Sequence, residues 1–456
     1  MARSTALSAE TERRLEAFLT DWLTDYRIPG VGLAIVKDDE VVYAAGLGAR
    51  DLASNEPATP STRYGVASIT KSFTALAVLQ LVEEGQVDLD APVTAYVPFF
   101  DEMADPPRVH ELLTHNSGMP SDGASVALIS RAIGAEPVEV PLSSDADLER
   151  YVRDAGPERA LDDRFFYYNT GYTILGRVVE AVDGRDFSTY VGQEILDPIG
   201  MEQSVLAPDE FEGLEDAMTP YREENGERVK AEFPVKGVGA AGGLVSTARD
   251  LAAYLRFQFD PDPAVLDPAL LREARQAHVT RQRYLDNTEQ GYGYGWMRRP
   301  FLEDKLVEHG GSLAVSTAYV GFLEETALGI AIACNDSPEA HPSHVGRALL
   351  AIIDGTDPRE ASHFFGLRAA AERVSGDYSS YRDIQRAAVE RDGGGLEIRF
   401  ENALESKTIA AVPENADPDD LRYYSIDADG VRIPIEFEET ADGLDMFYRR
   451  WRLHLD

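Results

Sequence analysis

Two residues three positions apart carry the first chemical signal in this sequence. Ser68 and Lys71 bound the segment Ser68-Ile69-Thr70-Lys71, which opens a helix-forming run. Residues three apart share one face of a helix, so the lysine amine can reach the serine hydroxyl. A hydroxyl is a poor nucleophile until a base takes its proton, and a desolvated lysine with a lowered pKa can be that base. The pattern predicts a nucleophilic Ser68; the alternative is a helix cap followed by a surface lysine.

A second group of polar side chains lies at Tyr167-Tyr168-Asn169. The phenol of Tyr167 can pass protons, and the amide of Asn169 can hold a substrate carbonyl or orient the lysine. The alternative interpretation is a tyrosine-rich helix start whose aromatic rings belong to the core.

A third group, His309-Gly310-Gly311-Ser312, follows a short predicted strand. Paired glycines let a substrate approach the backbone closely, and an N–H group just after them can bind a developing oxyanion. The alternative is a glycine hairpin that carries a histidine by chance.

In this order, the three groups resemble the Ser-x-x-Lys, Tyr-x-Asn and His-x-Gly boxes of the serine β-lactamase and penicillin-binding-protein superfamily. Within it, the chain is similar to class C β-lactamases, alkaline D-peptidases and family VIII esterases. The likeness runs from about residue 15 to residue 355. Three further stretches agree with it: residues 112–118 (LLTHNSG), 241–247 (AGGLVST) and 292–296 (YGYGW).

The resemblance implies a reaction and a role for each residue of the three boxes. Ser68 would attack a carbonyl carbon, Lys71 with Tyr167 would carry the proton, and water would later hydrolyse the acyl-enzyme. The backbone N–H groups of Ser68 and Ser312 would form the oxyanion hole. Three positions would bind the substrate: Asn169, His309 and Gly311.

The third box departs from that of β-lactamases, which carry a lysine there to engage a substrate carboxylate. This chain has His309, which is largely neutral at pH 7. An anionic substrate is therefore not required, and esters, lactones, amides and D-amino-acid peptides all remain open. A catalytically silent binding or regulatory module is the alternative function, since a fold does not fix an activity.

No cofactor or metal is expected. His341 and His344 are three apart, but Pro342 between them disfavours a helical pair, and no further ligand motif completes a site. His110 and His115 are interpreted as structural. Cys334 is the sole cysteine, so an intrachain disulfide is excluded.

The elements that must position the three boxes predict an α+β fold, with an antiparallel sheet flanked by helices. A β-hairpin spans residues 32–47, a strand covers Arg63 to Ala67, and a helix runs from Ile69 to Glu84 before Gly85. A helical subdomain occupies about residues 92–206, and sheet residues return after it. Later strands are expected near 306–308, 318–323 and 328–334, and a closing helix at 345–353. The predicted hydrolase domain is residues 1–360.

The tail, residues 370–456, alternates apolar and polar residues between turn signals. Strands are expected at 396–401, 431–437 and 451–456, and the pattern favours a small antiparallel β-barrel. The barrel is similar to the lipocalin-like barrels appended to some members of the superfamily. It would cover the active-site mouth, mediate a homo-oligomer or simply stabilise the chain.

The charge of the chain limits its partners. Asp and Glu number 80 against 43 Lys and Arg, giving a formal net charge of −37, and only six residues are lysine. Such a surface repels nucleic acid and anionic lipid, which leaves a small molecule or short peptide as the expected partner. The composition resembles that of salt-adapted cytosolic proteins, such as those of haloarchaea; an acidic enzyme from a low-salt organism is the alternative.

The N-terminal region raises the question of export. Arg13-Arg14 could begin a twin-arginine signal, but Glu16 and Asp21 interrupt the apolar core that such a signal needs. Apolar residues at helical spacing instead predict an amphipathic surface helix. No apolar run is long enough to cross a bilayer, so a cytoplasmic location is expected.

Overall fold

The computed structural model describes residues 7–101, 103–119, 164–207, 213–234 and 239–456, with single positions at 123, 126, 127, 130, 150 and 211. The chain divides into two compact units. The first comprises Met1–Arg283 with Thr288–Gly346, and the second comprises Tyr284–Asn287 with Arg347–Asp456.

The first unit is built on a large antiparallel sheet. The strands described in this unit are β1 Gly30–Lys37, β2 Glu40–Asp51, β3 Glu56–Pro57, β4 Tyr64–Gly65, β5 Val205–Leu206, β6 Tyr221–Glu224, β7 Glu227–Lys230, β8 Leu244–Ser246, β9 Val279–Arg283, β10 Glu289–Tyr292, β11 Met297–Phe301, β12 Asp304–Ser312, β13 Thr317–Leu323 and β14 Leu328–Cys334. Nine of them hydrogen-bond in the order β3-β2-β1-β14-β13-β12-β11-β10-β9. The central strands β1, β13 and β14 are buried along nearly their whole length, as expected for a sheet covered on both faces.

Helices supply the rest of the first unit and lead into the second. Within the range expected for the helical subdomain, about residues 92–206, the described residues form mainly helices and turns, and strand β5 lies at its end. The α-helices are α1 Ala9–Asp25, α2 Thr70–Glu83, α3 Val109–Leu113, α4 Asn169–Asp183, α5 Phe187–Val191, α6 Asp197–Ile199, α7 Gly239–Gly242, α8 Ala248–Phe259, α9 Pro268–Ala274, α10 Pro342–Asp354, α11 Pro358–Ala361 and α12 His363–Val374. Short 3₁₀ turns lie at Ala67–Ile69, Val93–Ala95, Pro98–Phe100 and Tyr381–Asp383, and a π-helical turn at Gly192–Leu196.

Helix α2, which contains Lys71 of the first box, is a buried central helix. Its residues from Thr70 to Leu81 are all buried, because apolar side chains surround the helix on every side. It ends where Gly85 takes a positive φ of 70°, as the sequence predicts. By contrast, α1 buries only one face, through Leu15, Leu19 and Trp22. This matches the amphipathic helix predicted for the N-terminal region.

The second unit contains a closed antiparallel barrel. Eight strands follow one another around it, and the first pairs with both the second and the eighth to close the barrel. Closure removes the free edges that an open sheet would expose. The strands are β15 Gly376–Ser379, β16 Gln385–Asp392, β17 Gly395–Asn402, β18 Ser406–Pro413, β19 Arg422–Ile426, β20 Arg432–Thr440, β21 Gly443–Tyr448 and β22 Trp451–Leu455.

The predicted fold class is thus confirmed, with two local differences. The strand expected from Arg63 to Ala67 is limited to Tyr64–Gly65, because the backbone leaves the extended region and Ala67 takes a φ of 51°. The third box does not follow a strand but lies within one: β12 runs on through His309 to Ser312, paired with β13 along its length.

Candidate active site

Ser68 lies on a 3₁₀ turn that leads directly into helix α2. The preceding residue, Ala67, is buried and has a φ of 51°, a left-handed conformation that costs a non-glycine residue free energy. The turn is tied to the sheet, since the N–H of Val66 donates to the carbonyl of Leu244 and Ser316 Oγ donates to the carbonyl of Gly65 at 2.7 Å. These contacts keep the strained turn in place.

Lys71 lies one helical turn beyond Ser68 and is completely buried. Its amine donates to Ser68 Oγ at 3.1 Å, to Asn169 Oδ1 at 2.7 Å and to the carbonyl of Ala241 at 2.6 Å. All three acceptors are uncharged oxygens. The surface-lysine alternative is excluded, because the side chain points into the protein at the serine hydroxyl.

Two residues of the second box also contact the Lys71 amine. Asn169 is the first residue of helix α4, and the ring centroid of Tyr167 lies 4.9 Å from the Lys71 Nζ atom. His115 fixes this segment: its carbonyl accepts from the N–H of Phe166 at 2.7 Å, and its Nδ1 accepts from the N–H of Tyr168 at 3.0 Å.

The third box presents its backbone to the serine. Strand β11 pairs with β12 from Phe301↔Asp304 to Met297↔Glu308, so the edge of β12 beyond Glu308 extends past the end of β11. Leu313 donates its N–H to Ser316 across the hairpin to β13, and N–H groups alternate in direction along a strand. The N–H of Ser312 therefore points away from β13, toward this extended edge.

Gly311 lies against the nucleophile turn. A Cβ atom at this position would be 2.1 Å from the carbonyl oxygen of Val66 and 2.9 Å from the backbone nitrogen of Ser68. A side chain larger than hydrogen is thus excluded by the close approach of the two backbones. Glycine at this position therefore allows strand β12 to lie directly against the Ser68 turn.

His309 is a buried, neutral member of the group. Burial, followed by the charge of Lys71, lowers the pKa of His309 to about 3. Its Nδ1 lies 2.7 Å from the carbonyl of Gly310, so Nδ1 carries the proton and Nε2 accepts from the hydroxyl of Tyr292 at 3.0 Å. The histidine therefore adds no positive charge to the site at neutral pH.

Three neighbours were not assigned to the site from the sequence. His115 is buried, with its ring 4.2 Å from that of Tyr167 and a pKa lowered well below its usual value, chiefly by burial. Tyr292 holds His309, and His341 places Nε2 3.1 Å from the carbonyl of Gly311. His115 and Tyr292 lie in two stretches that resemble the superfamily, and this resemblance could have assigned both residues to the site. His341 had no such signal.

The described residues contain neither a cluster suited to a metal ion nor a membrane-spanning helix. No cluster of three or more His, Cys, Asp or Glu side chains in that part of the chain is arranged to hold a metal ion. The helices described there include none long and apolar enough to span a bilayer. Cys334 is buried with a free thiol.

Comparison with known proteins identifies the family. The Beta-lactamase family model matches residues 11–354, and a model named Pab87 octamerisation domain matches residues 358–454. The octameric penicillin-binding protein homologue from Pyrococcus abyssi is 34% identical, with a TM-score of 0.90 over 97% of this chain and 99% of that one.

Two further relatives are enzymes by name. The D-aminopeptidase of Gluconobacter oxydans is 24% identical over 97% of this chain and 78% of its own length. The D-amino acid amidase of Ochrobactrum anthropi is 25% identical, with a TM-score of 0.62 over 75% of this chain and 97% of that structure. The resemblance predicted from the three boxes is confirmed, and the chain belongs to the Beta-lactamase family.

Proposed function

We propose that the protein is a serine hydrolase that acts through an acyl-enzyme on an ester, an amide or a D-amino-acid peptide bond. The observation that carries this proposal is the 3.1 Å hydrogen bond between a buried Lys71 amine and Ser68 Oγ. Relatives named as a D-aminopeptidase and a D-amino acid amidase support hydrolysis in general and D-amino acids in particular.

Lys71, in its neutral form, takes the proton of Ser68 Oγ as that oxygen attacks the substrate carbonyl carbon. Burial favours the neutral amine, since it disfavours the charged form of any basic group. Uncharged acceptors on Asn169 and Ala241 hold the amine in position and give less support to an ammonium than a carboxylate would. Tyr167 assists in passing the proton to the leaving group, and water then hydrolyses the acyl-enzyme.

The tetrahedral intermediate places its negative oxygen between the N–H groups of Ser68 and Ser312. Loss of one such donor typically costs about a hundred- to a thousand-fold in rate. Asn169, His309 and Gly311 bind the substrate, Gly311 by leaving room for it beside the backbone. Because His309 is neutral, this part of the site accepts uncharged groups.

A matched pair of chromogenic substrates tests the proposed hydrolysis and distinguishes ester cleavage from amide cleavage. An ester and a D-aminoacyl amide with related leaving groups are assayed by stopped flow with wild-type and Ser68→Ala protein. A burst of leaving group at one equivalent of enzyme, absent in the variant, is the expected result. Ligand binding without turnover of either substrate would instead favour the silent binding module.

We also propose a homo-oligomer formed through the second unit. The match to a domain named for octamerisation supports this assembly. The barrel carries several exposed apolar side chains that an interface would cover: Leu404, Val412, Ile426 and Val431. Light scattering of the full chain tests it, and a monomer at assay concentration and salt would contradict it.

A further inference from the structure

His341 lies directly before helix α10 and is only partly exposed. Its carbonyl accepts from the first turn of the helix, through the N–H of His344 at 2.8 Å. Pro342 follows as the first residue of the helix, where its missing N–H costs nothing and its fixed φ suits the helical backbone. The helix start therefore holds the backbone from which the His341 imidazole extends.

The imidazole lies behind the backbone of the third box. A Cβ atom built on Gly310 would be 3.1 Å from the Cε1 atom of His341. Successive residues of a strand point to opposite faces of the sheet, so His309 points away from the face that His341 covers. The ring of His309 instead lies 6.4 Å from that of Tyr167. The backbone of β12 therefore separates His341 from the side chains of the candidate site.

The hydrogen bonds of His341 determine which ring nitrogen carries the proton in the neutral imidazole. The backbone N–H of Ser343, which can only donate, lies against Nδ1 with an N–N distance of 3.1 Å. Nδ1 is therefore an acceptor, and Nε2 carries the proton. Nε2 lies 3.1 Å from the carbonyl oxygen of Gly311, so its N–H donates to that carbonyl.

The acceptor belongs to the peptide group that contains a proposed oxyanion donor. The carbonyl of Gly311 and the N–H of Ser312 are parts of one planar unit, so a contact that fixes the first also fixes the second. Gly310 and Gly311 precede this N–H, and glycine gives a backbone more freedom than any other residue. Gly311 pairs with Ala318 of β13, and a carbonyl oxygen has a second lone pair for His341.

We propose that His341 is a positioning residue of the oxyanion hole. Its Nε2–H holds the Gly311–Ser312 peptide and polarises it, which strengthens the N–H of Ser312 as a donor to the developing negative oxygen. This inference rests on the proposed acyl-enzyme mechanism. It adds a residue that acts through the backbone of β12 and not on the substrate.

Variants that differ in reach test the hydrogen bond. His341→Gln places an amide N–H about as far from Cβ as the Nε2–H of histidine, whereas the amide of His341→Asn ends one bond earlier. Asparagine is favoured directly before a helix, so the shorter variant should fold. His341→Leu, which has no donor, provides a second variant without the bond. Circular dichroism and the midpoint of thermal unfolding check the fold of each protein.

The first readout is the labelling of Ser68 by an uncharged fluorophosphonate, whose phosphonyl oxygen gains negative charge as the serine attacks. At saturating probe, the rate should fall about threefold to tenfold in His341→Asn and His341→Leu, the scale of one hydrogen bond. It should return to near the wild-type value in His341→Gln. The half-saturating probe concentration should not change, because the effect belongs to the transition state.

The second readout is the ³¹P resonance of the labelled proteins, which reports on hydrogen bonds to the phosphonyl oxygen. It should move in His341→Asn and return toward its wild-type position in His341→Gln. His454→Leu in the barrel is the matched control, since it removes a histidine bonded to Asp445 at 2.8 Å. It should lower the midpoint of thermal unfolding and leave both readouts unchanged.

Failure of this inference is separable from failure of the hydrolase proposal. A folded wild-type protein that is not labelled would overturn both. Labelling of the wild type with equal rates and resonances in the three His341 variants would overturn the role of His341 alone. A loss in His341→Asn that His341→Gln does not restore would also overturn it, because the side chain would then act by packing and not as a donor.

Discussion

Two buried polar side chains, Lys71 in the first unit and Asp445 in the barrel, have opposite surroundings. The Lys71 amine is hydrogen-bonded to three uncharged oxygens. The Asp445 carboxylate, also buried, accepts from Arg452 Nε at 2.7 Å and from His454 Nδ1 at 2.8 Å. These hydrogen bonds, from His454 first and then Arg452, lower the pKa of Asp445.

Under the proposed mechanism, Lys71 must change its protonation state, whereas Asp445 must not. A carboxylate beside two basic side chains stays charged and stabilises the fold. The Lys71 amine, by contrast, has no carboxylate among the three acceptors of its hydrogen bonds. Chemistry is therefore expected from Lys71, and stability from Asp445.

Removal of the Lys71 amine should have the largest effect. Lys71→Met keeps most of the side-chain volume but leaves Ser68 without its base, and the rate of acylation should fall about a thousand-fold or more, within the usual range for general-base catalysis. Stopped-flow kinetics with the chromogenic ester measure it, and circular dichroism checks the fold. Lys305→Met, at an exposed lysine, is the matched control. Acylation of Lys71→Met at near the wild-type rate would remove the lysine from the mechanism.

Closing the gap beside Ser68 should have the next largest effect. In Gly311→Ala the new methyl group would meet the carbonyl of Val66 at 2.1 Å, so the oxyanion donors must move apart. We expect the rate to fall about a hundred-fold or more. Gly430→Ala in the barrel, where a Cβ meets nothing within 4 Å, should leave the rate unchanged and cost about 1–2 kcal/mol of stability, because φ there is +77°. Equal rates in the two variants would contradict the close approach.

Neutralising Asp445 should act on stability alone. Asp445→Asn should lower the free energy of unfolding by about 1–3 kcal/mol at pH 7 and leave Ser68 labelling unaffected. Since the pKa of Asp445 is lowered by folding, its stabilisation is fully present above the unfolded value of about 3.9 and is lost as pH falls through the folded pKa. Urea unfolding of both proteins should therefore show a difference that shrinks below about pH 4. Asp429→Asn, at an exposed turn, serves as the control.

Raising the salt concentration should have the smallest effect on activity, because salt screens charges at the surface more than buried groups. Raising KCl from about 0.1 M to about 1 M shortens the screening length from about 10 Å to about 3 Å. Self-repulsion of a chain with net charge −37 should weaken, and the midpoint of thermal unfolding should rise by several degrees. The rate of Ser68 labelling by a neutral probe should change little, since buried groups are screened less. A falling midpoint would contradict salt adaptation.

The contact between Ser68 and Lys71 could be predicted from the sequence because it is local. Ser68 and Lys71 share a helix face by spacing alone, and the alternating residues of the tail point to a barrel. Contacts across the fold had no such signal: His341 reaches Gly311 from 30 residues away, and a bulge at Arg281 depends on the pairing of β9 with β10. The left-handed backbone at Ala67 could not be predicted either, because alanine, unlike glycine, does not indicate a positive φ.

The central claim is an activated Ser68, and one measurement tests it most directly. Purified wild-type and Ser68→Ala proteins are exposed to an uncharged fluorophosphonate in molar KCl, circular dichroism establishes that both are folded, and intact mass is recorded. A single adduct on the wild-type chain that is absent from the variant is the predicted result. A folded wild-type protein without any adduct, or an adduct that persists in Ser68→Ala, would contradict the assignment of Ser68 as the nucleophile.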